Sequence, residues 1–275
     1  MSTYPKLSKG RPHFPKTPDL FYKTIKNNVC DIILNQKNRA LRVTWVKTIL
    51  YPLLFISIYI LLLVKGQNLI VFYSCYACLG LMTTIIVFNI VHDAAHNSLF
   101  NDPALNKRAR ILLDFLGGNS YVWAKRHVVF HHGFTNIPGW DIDIQQSVIV
   151  RFNEKQPFRK VYRIQFLYMP LIYLLYSLNW ILRRDFKDFF QRTSVIRTNF
   201  NIPRKEYFKL IVFKIFYFLY LAVIPIIILN HSALSFVLSI FLMHVLMSAL
   251  TLLVLLPSHL DEDAQFPEPD ENLLL

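Results

Sequence analysis

Residues 69–96, "LIVFYSCYACLGLMTTIIVFNIVHDAAH", join a long apolar run directly to two histidines. A helix rises about 1.5 Å per residue and needs roughly 20 apolar residues to cross a bilayer, a length that Leu69–Val91 reaches. His92 and His96 follow at the i, i+4 spacing, which places both imidazoles on one helix face, about 40° apart. The stretch therefore predicts a membrane helix that ends in two side chains able to hold one metal ion.

The rest of the chain is also too apolar for an ordinary soluble domain. Of its 275 residues, 54% are hydrophobic and 15% aromatic, and only seven are glycines. Further apolar runs at Ile49–Val64, Leu210–Leu229 and Ala233–Leu256 predict three more spans. We therefore expect an all-α, polytopic membrane protein with four transmembrane helices in two hairpins and a cytoplasmic, histidine-rich helical cap.

Charge decides the predicted topology. Lys and Arg crowd the N-terminal part and the long middle region, whereas the two short turns carry only Lys65 between them. The positive-inside rule then places the N-terminus and the middle region in the cytoplasm. A fifth apolar segment, Ile164–Leu182, has basic flanks on both sides and contains Pro170 and Asn179. It is predicted to lie in the interface or dip into the bilayer, because crossing would put one basic flank outside.

These features divide the chain into five parts: a cytoplasmic arm (1–45), a first hairpin (46–91), a cytoplasmic or interfacial region (92–208), a second hairpin (209–256) and the start of a cytoplasmic C-terminal region (257–275). With four spans, His259 returns to the side of the other clustered histidines. The formal net charge of +13 is explained by this topology and by anionic lipid headgroups, so nucleic-acid binding is not expected.

A second group of histidines stands in "HVVFHH", residues 127–132. On an α-helix His127 and His131 share a face and His132 points roughly 100° away from His131, so the group could reach two metal ions. Neutral imidazoles suit iron, copper, zinc or nickel and exclude magnesium and calcium. Three histidines outside both groups are predicted to be interfacial or hydrogen-bonded residues: His13, His231 and His244.

The two groups resemble the first and second histidine boxes of the membrane fatty acid desaturases. The surrounding "LGGNSYVWAKRHVVFHHGFTNIPGWDIDI" (116–144) and "SHLDEDAQFPEP" (258–269) resemble the acyl-CoA and acyl-lipid branch that contains front-end and linoleoyl-type enzymes. The resemblance runs from about Lys47 onward. It implies two non-haem irons, with these ligands: His92, His96, His127, His131, His132 and, we expect, His259.

The resemblance also implies an activity and its partners. Dioxygen would be the co-substrate, and the product would be a cis double bond in an acyl-CoA or acyl-lipid chain. Electrons would come from a separate donor of ferredoxin or small-cytochrome type, because no fused haem domain or ferredoxin-type cysteine set is visible. We expect a multi-pass protein with its catalytic face in the cytoplasm, in a bacterial inner membrane by preference or in the endoplasmic reticulum.

One departure from the family pattern is expected to matter. The family's third box, H/Q-x-x-H-H, is absent before Leu275, so about three ligands are missing and the chain is interpreted as truncated. Two alternatives stay open: a fatty acid hydroxylase or alkane-type monooxygenase on the same scaffold, and a truncated, non-catalytic membrane protein that binds metal or acyl chains.

Several further residues are candidates for supporting roles. Carboxylates near the boxes could orient the imidazoles, with solvation of helix ends or loops as the alternative: Asp93, Asp141 and Asp143. Polar residues before the second box could contact the substrate's head group: Asn119, Tyr121 and Lys125. Trp123 and Trp140 could line the substrate tunnel, with anchoring at the membrane interface as the alternative.

Overall fold

A computed structural model describes the backbone of residues 11–15, 20–144, 149–152, 156–259, 263–270 and 272–275, and the side chains of the same residues except 31–40 and 256–259. Helices make up the secondary structure of the described chain, apart from turns and one isolated bridge between His13 and Leu274. The predicted all-α class is therefore confirmed.

Four helices of the described chain are long and apolar enough to cross a membrane. We call them spans 1 to 4: Leu41–Lys65, Leu69–Ala95, Arg204–Ile228 and Ala233–Leu255. Span 1 is the end of a 46-residue helix, Leu20–Lys65, and span 4 lies within the helix Ala233–His259. The four predicted spans are confirmed, and the chain is a multi-pass membrane protein.

Shorter helical pieces fill the region between spans 2 and 3 and interrupt the spans themselves. Spans 2 and 3 contain π-helical turns at Val87–His92 and Leu219–Val223. The connecting region consists of these pieces: Pro103–Ala109, Leu112–Phe115, Ser120–Ala124, the π-helix Lys125–His131, the 3-10 helix Lys160–Ile164, Gln165–Leu174, Tyr176–Asn179, the π-helix Trp180–Arg184, Asp185–Phe190 and Val195–Asn199.

The two short turns lie side by side at one end of the bundle. Asn68 caps span 2, because its side chain accepts hydrogen bonds from the backbone N–H groups of Ile70 and Val71. The ring Nε2 of His231, in the other turn, donates to the carbonyl oxygen of Gly66 over 2.6 Å. His231 is thus hydrogen-bonded, as predicted, and it joins the turn between spans 1 and 2 to the turn between spans 3 and 4.

Spans 2 and 4 cross in close contact at Gly80. A Cβ atom added at Gly80 would lie 2.3 Å from the carbonyl oxygen of Met243, so no side chain larger than glycine fits between the two backbones. Below this crossing Phe72, Tyr76 and Leu79 are fully buried. Span 2 therefore forms the centre of the bundle and carries the first histidine box to its other end.

The fifth apolar segment is a pair of helical stretches, Lys160–Leu174 and Tyr176–Asn199, which meet at a bend of 66°. At the bend, the hydroxyl of Ser177 lies 3.0 Å from Nδ1 of His244 and 2.8 Å from the hydroxyl of Ser248. His244 stands halfway along span 4, and its Nε2 contacts the hydroxyl of Tyr217. The bend therefore reaches the middle of span 4, which supports a segment that dips into the bilayer.

This arrangement predicts that both ends of the bent pair lie on the membrane side of the histidine boxes. Single cysteines at the exposed Arg159 and Arg192, in a background without the native cysteines, should react with a membrane-impermeant maleimide from the same side as one at Lys107, in sealed vesicles of known orientation. A cysteine at Asn230 should react only from the opposite side. Opposite labelling of positions 159 and 192 would show instead that the segment crosses the membrane.

Candidate metal centre

A π-helical turn adjoins each histidine box, leading into the first box and running through the second. The end of span 2 winds into a π-helix over Val87–His92, and the helix that begins at Ser120 does so over Lys125–His131. In the second box, the backbone N–H of His132 donates to the carbonyl oxygen of His127 over 2.9 Å, an i to i−5 bond. Such turns are rare and occur frequently at functional sites.

The π-turn corrects the geometry predicted for the second box. His127 and His132 face each other, with their Nε2 atoms 3.2 Å apart. The Nδ1 atom of His131 lies 3.1 Å from each carboxylate oxygen of Asp141. The rings of His127 and His131 stack with centroids 5.9 Å apart, so these two residues do lie on one side of the helix. The wider turn also brings His132 to that side, at a shorter centroid distance of 4.5 Å from His127, although it was predicted to point away.

Four imidazoles converge where the two boxes meet. His92, His96, His127 and His132 each offer a ring nitrogen, and these atoms lie within 4.8 Å of one another. We call this group the histidine tetrad. The Nε2 atom of His96 is buried and has no hydrogen-bond partner among the described residues. A set of four nitrogen ligands with such an unpaired atom fits one transition-metal ion.

Two imidazoles of the tetrad, those of His127 and His96, are held in the neutral form that binds a metal ion. Burial lowers the pKa of His127 to about 2, and the neighbouring His132 and His92 act in the same direction. Burial and the proximity of His92 also lower the pKa of His96. Because a metal ion binds the neutral form of histidine, these rings need not release a proton when the ion binds.

Asp141 holds His131 in a separate arrangement. The carboxylate is fully buried and also accepts hydrogen bonds from the backbone N–H groups of Asn136 and Asp143. Burial lowers the pKa of His131, but the hydrogen bond and the charge of Asp141 outweigh it, and the pKa is raised. A carboxylate on one ring nitrogen of this kind orients metal-binding histidines. Asp141 thus contacts an imidazole of the second box, and its role in orienting a metal ligand stays a prediction.

The other two candidate carboxylates contact cations rather than imidazoles. Asp93 accepts a 2.7 Å hydrogen bond from Nζ of Lys47, whereas its distance of 3.7 Å to Nδ1 of His92 is too long for one. Asp93 thus ties span 1 to the first box. Asp143 pairs with Arg184 and approaches Arg126, and although burial raises its pKa, these two charges lower it to about 2.

A cavity begins at the histidine boxes and extends between the spans. Its wall includes His92, His127 and His131 at one end and Thr84, Met247 and Thr251 of spans 2 and 4 at the other. Apolar side chains make up most of the wall between these ends: Val87, Phe88, Leu113, Leu116, Trp180, Ile181 and Leu252. The lining suits an apolar chain that passes close to the tetrad.

Of the residues predicted to contact substrate, Trp123 lines this cavity and the other four do not. Trp123 stacks on His127, with ring centroids 4.9 Å apart. Asn119 is buried as a helix cap and accepts a hydrogen bond from the N–H of Val122. The ammonium group of Lys125 lies over the ring of Phe200, outside the cavity, and close to Tyr121. Trp140 packs in a separate hydrophobic cluster with Phe130 and Phe134.

One predicted ligand, His259, and three unpredicted cations near the boxes remain to be described. The backbone of His259 ends the helix of span 4, but its side chain lies outside the described residues, so its role stays a prediction. Sequence reasoning missed three cations near the boxes, which pair with Asp93, Asp188 and Asp143 respectively: Lys47, Arg126 and Arg184. Only the position of Arg126, next to His127, could have suggested it.

The fold and the site together define a multi-pass helical membrane protein with a cluster of four histidines, suited to a metal ion, at an apolar cavity. Residues 67–271 match the family model described as fatty acid desaturase. The match covers most of the chain, which therefore belongs to the fatty acid desaturase family.

Similar proteins carry desaturase names. The chain is 37% identical to an sn-1 linoleoyl-lipid 6-desaturase of Synechocystis sp. over 95 residues, 34% of this chain and 26% of the relative. It is 27% identical to the enzyme of that name from Arthrospira platensis, over 70% of this chain and 52% of the relative. An acyl-lipid (8-3)-desaturase of Mortierella alpina is 28% identical over 97% of this chain and 61% of the relative. These matches span less than two thirds of each relative, and no solved structure matches the chain.

The register of the second box can be tested by metal binding. Because His132 belongs to the tetrad and His131 does not, His132→Ala should lower the affinity for the first equivalent of Co²⁺ by about tenfold or more, while His131→Ala retains it. The Co²⁺ affinity of each variant is measured by titration, with the visible absorption of bound Co²⁺ as the signal. His231→Ala, at the other end of the bundle, is the control. A larger loss in His131→Ala would contradict the π-helical register.

Proposed function

We propose that the protein is an oxygen-dependent fatty acyl desaturase of the membrane di-iron type. It would introduce a cis double bond into the acyl chain of an acyl lipid or an acyl-CoA. The observation that carries the proposal is the histidine tetrad at the end of an apolar cavity that extends between membrane spans. Membership of the desaturase family supports it.

The proposed cofactors are two non-haem irons, with dioxygen as co-substrate. His92, His96, His127 and His132 would hold one iron, and His131, oriented by Asp141, would be a ligand of the other, together with His259. Bound iron supplies the oxidising chemistry that removes hydrogen from an unactivated acyl chain. The protein's own part is to hold the ligands and to position the chain.

The cavity walls would perform that positioning. Apolar side chains exclude water and hold an extended chain through burial of apolar surface. Trp123 both lines the cavity and stacks on His127, so it fixes the ring of one ligand and limits where the chain can pass. Because the named relatives act on linoleoyl-lipid and acyl-lipid substrates, we favour an acyl lipid over an acyl-CoA.

We also propose a cytoplasmic catalytic face and a separate electron donor. The distribution of Lys and Arg supports the sidedness, in a bacterial inner membrane or the endoplasmic reticulum. A net charge of +13 suits an acidic donor protein of ferredoxin or small-cytochrome type. Hydroxylation starts from the same hydrogen abstraction, and the desaturase names of the relatives favour the alkene over the alcohol.

Product analysis of the native gene product tests this function. Membranes that contain the protein and are supplied with defined fatty acids should form monoenoic or further unsaturated products, identified by gas chromatography and mass spectrometry. His131→Ala should abolish them, because it removes a proposed ligand of the second iron, while membrane insertion is retained. His231→Ala should keep the wild-type product profile. Alcohol products, or unchanged products in His131→Ala, would refute the proposal.

A further inference from the structure

Two guanidinium groups, one buried and one mostly buried, lie in the cavity wall close to the tetrad. Arg126 and Arg184 both line the cavity, and Arg126 is only 9% exposed. Nη1 of Arg126 donates to Asp188 over 2.7 Å, and Nη2 of Arg184 donates to Asp143. The Nε–H group of each arginine is buried and has no acceptor among the described residues. Two strong donors are therefore left in a wall that is otherwise mostly apolar.

The charges around these donors are balanced. Arg126 and Arg184 face Asp188 and Asp143, so two positive and two negative groups offset each other. A carboxylate or phosphate would bring an uncompensated negative charge into this buried place, which is unfavourable. A neutral oxygen acceptor would instead satisfy the unpaired N–H groups without changing the charge. The chemistry thus selects a carbonyl oxygen.

The position of the donors places this carbonyl near the metal ligands. Arg126 directly precedes His127 in the sequence. The guanidinium of Arg184 lies over the ring of Trp180, 5.8 Å from its centroid. Trp180 stacks on Trp123 at 6.3 Å and Trp123 stacks on His127 at 4.9 Å, so Arg184 is linked to the same imidazole through two tryptophans. The apolar part of the cavity lies beyond them, toward Thr84. The polar end of the cavity and the tetrad are therefore neighbours.

We propose that Arg126 and Arg184 bind the carbonyl oxygen of the acyl substrate through their Nε–H groups. A carbonyl oxygen has two lone pairs and can accept both hydrogen bonds. The consequence is regiochemical: a carbonyl held next to the metal ligands brings carbons near the carboxyl end of the chain to the oxidising centre. This inference rests on the proposed function and names the part of the substrate that the cavity recognises.

A matched pair of ligands tests the recognition without iron or turnover. Methyl stearate and methyl octadecyl ether have the same chain, but the ether lacks the carbonyl oxygen. Displacement of a fluorescent acyl probe from the purified protein, in micelles of fixed composition, gives the affinity for each. The wild type should prefer the ester by about fivefold to tenfold.

Arg126→Lys and Arg184→Lys separate the donor from the charge. Each lysine keeps a cation opposite Asp188 or Asp143 but removes the Nε–H group. The double variant should bind ester and ether equally, with the ether affinity of the wild type. Arg163→Lys, at an exposed arginine outside the cavity wall, is the matched control and should keep the ester preference.

A second double variant keeps the test decisive if the lysine variants misfold. Arg126→Gln combined with Asp188→Asn removes both charges of one pair, so no buried ion is left without a partner. It should also lose most of the ester preference. Because the readout is a ratio of two affinities in one variant, a general loss of binding does not alter it. A wild-type ratio in either the double lysine variant or this neutral pair would overturn the inference.

The binding test and the product test fail in different ways. Absence of desaturation with an arginine-dependent ester preference would refute only the proposed function. Desaturation by a protein whose ester preference ignores both arginines would refute only the carbonyl site. Adding stearoyl phosphatidylcholine and stearoyl-CoA as ligands shows which carrier supplies the carbonyl, since a lipid ester and a thioester share that oxygen.

Discussion

The hydrogen bond from the N–H of His132 to the carbonyl oxygen of His127 determines which histidines meet. By widening one turn, it directs His127 and His132 toward His92 and His96, and it turns His131 toward Asp141. A regular α-helix would place a different pair on this side. The tetrad, the carboxylate that orients the remaining histidine and the stacking of Trp123 all depend on this local winding of the backbone.

Local signals in the sequence were sufficient to predict the four spans and the approximate position of the candidate site. Apolar runs such as Leu69–Val91 have the length of a membrane helix, and clustered histidines mark a metal centre. It could not be predicted that His132 would be the residue of the second box that joins His127 in the tetrad, because a π-turn leaves no mark in the composition. Partners distant in sequence were also hidden, as for Lys47 and Asp93, which stand 46 residues apart.

Buried ion pairs join the connecting region to the spans. Nζ of Lys214, inside span 3, donates to Asp185 over 2.8 Å and also to the carbonyl oxygens of Gly117 and Ile181. A buried ammonium group with all three of its N–H groups in use is well satisfied, and loss of one partner would leave a charge exposed to a low dielectric. Together with the ion pairs Arg126–Asp188 and Arg184–Asp143, this contact fixes the position of the cavity wall relative to the second box.

The contact between Ser177 and His244 has a consequence for biosynthesis. The chain is made from its N-terminus, and His244 follows Ser177 by 67 residues. The bent pair therefore leaves the ribosome before its polar partner in span 4 exists, with a serine that must settle at the level of the hydrocarbon core. Its final depth can be reached only after span 4 has been inserted, so the cavity wall is completed late in assembly, when both turns at the far end are already in place.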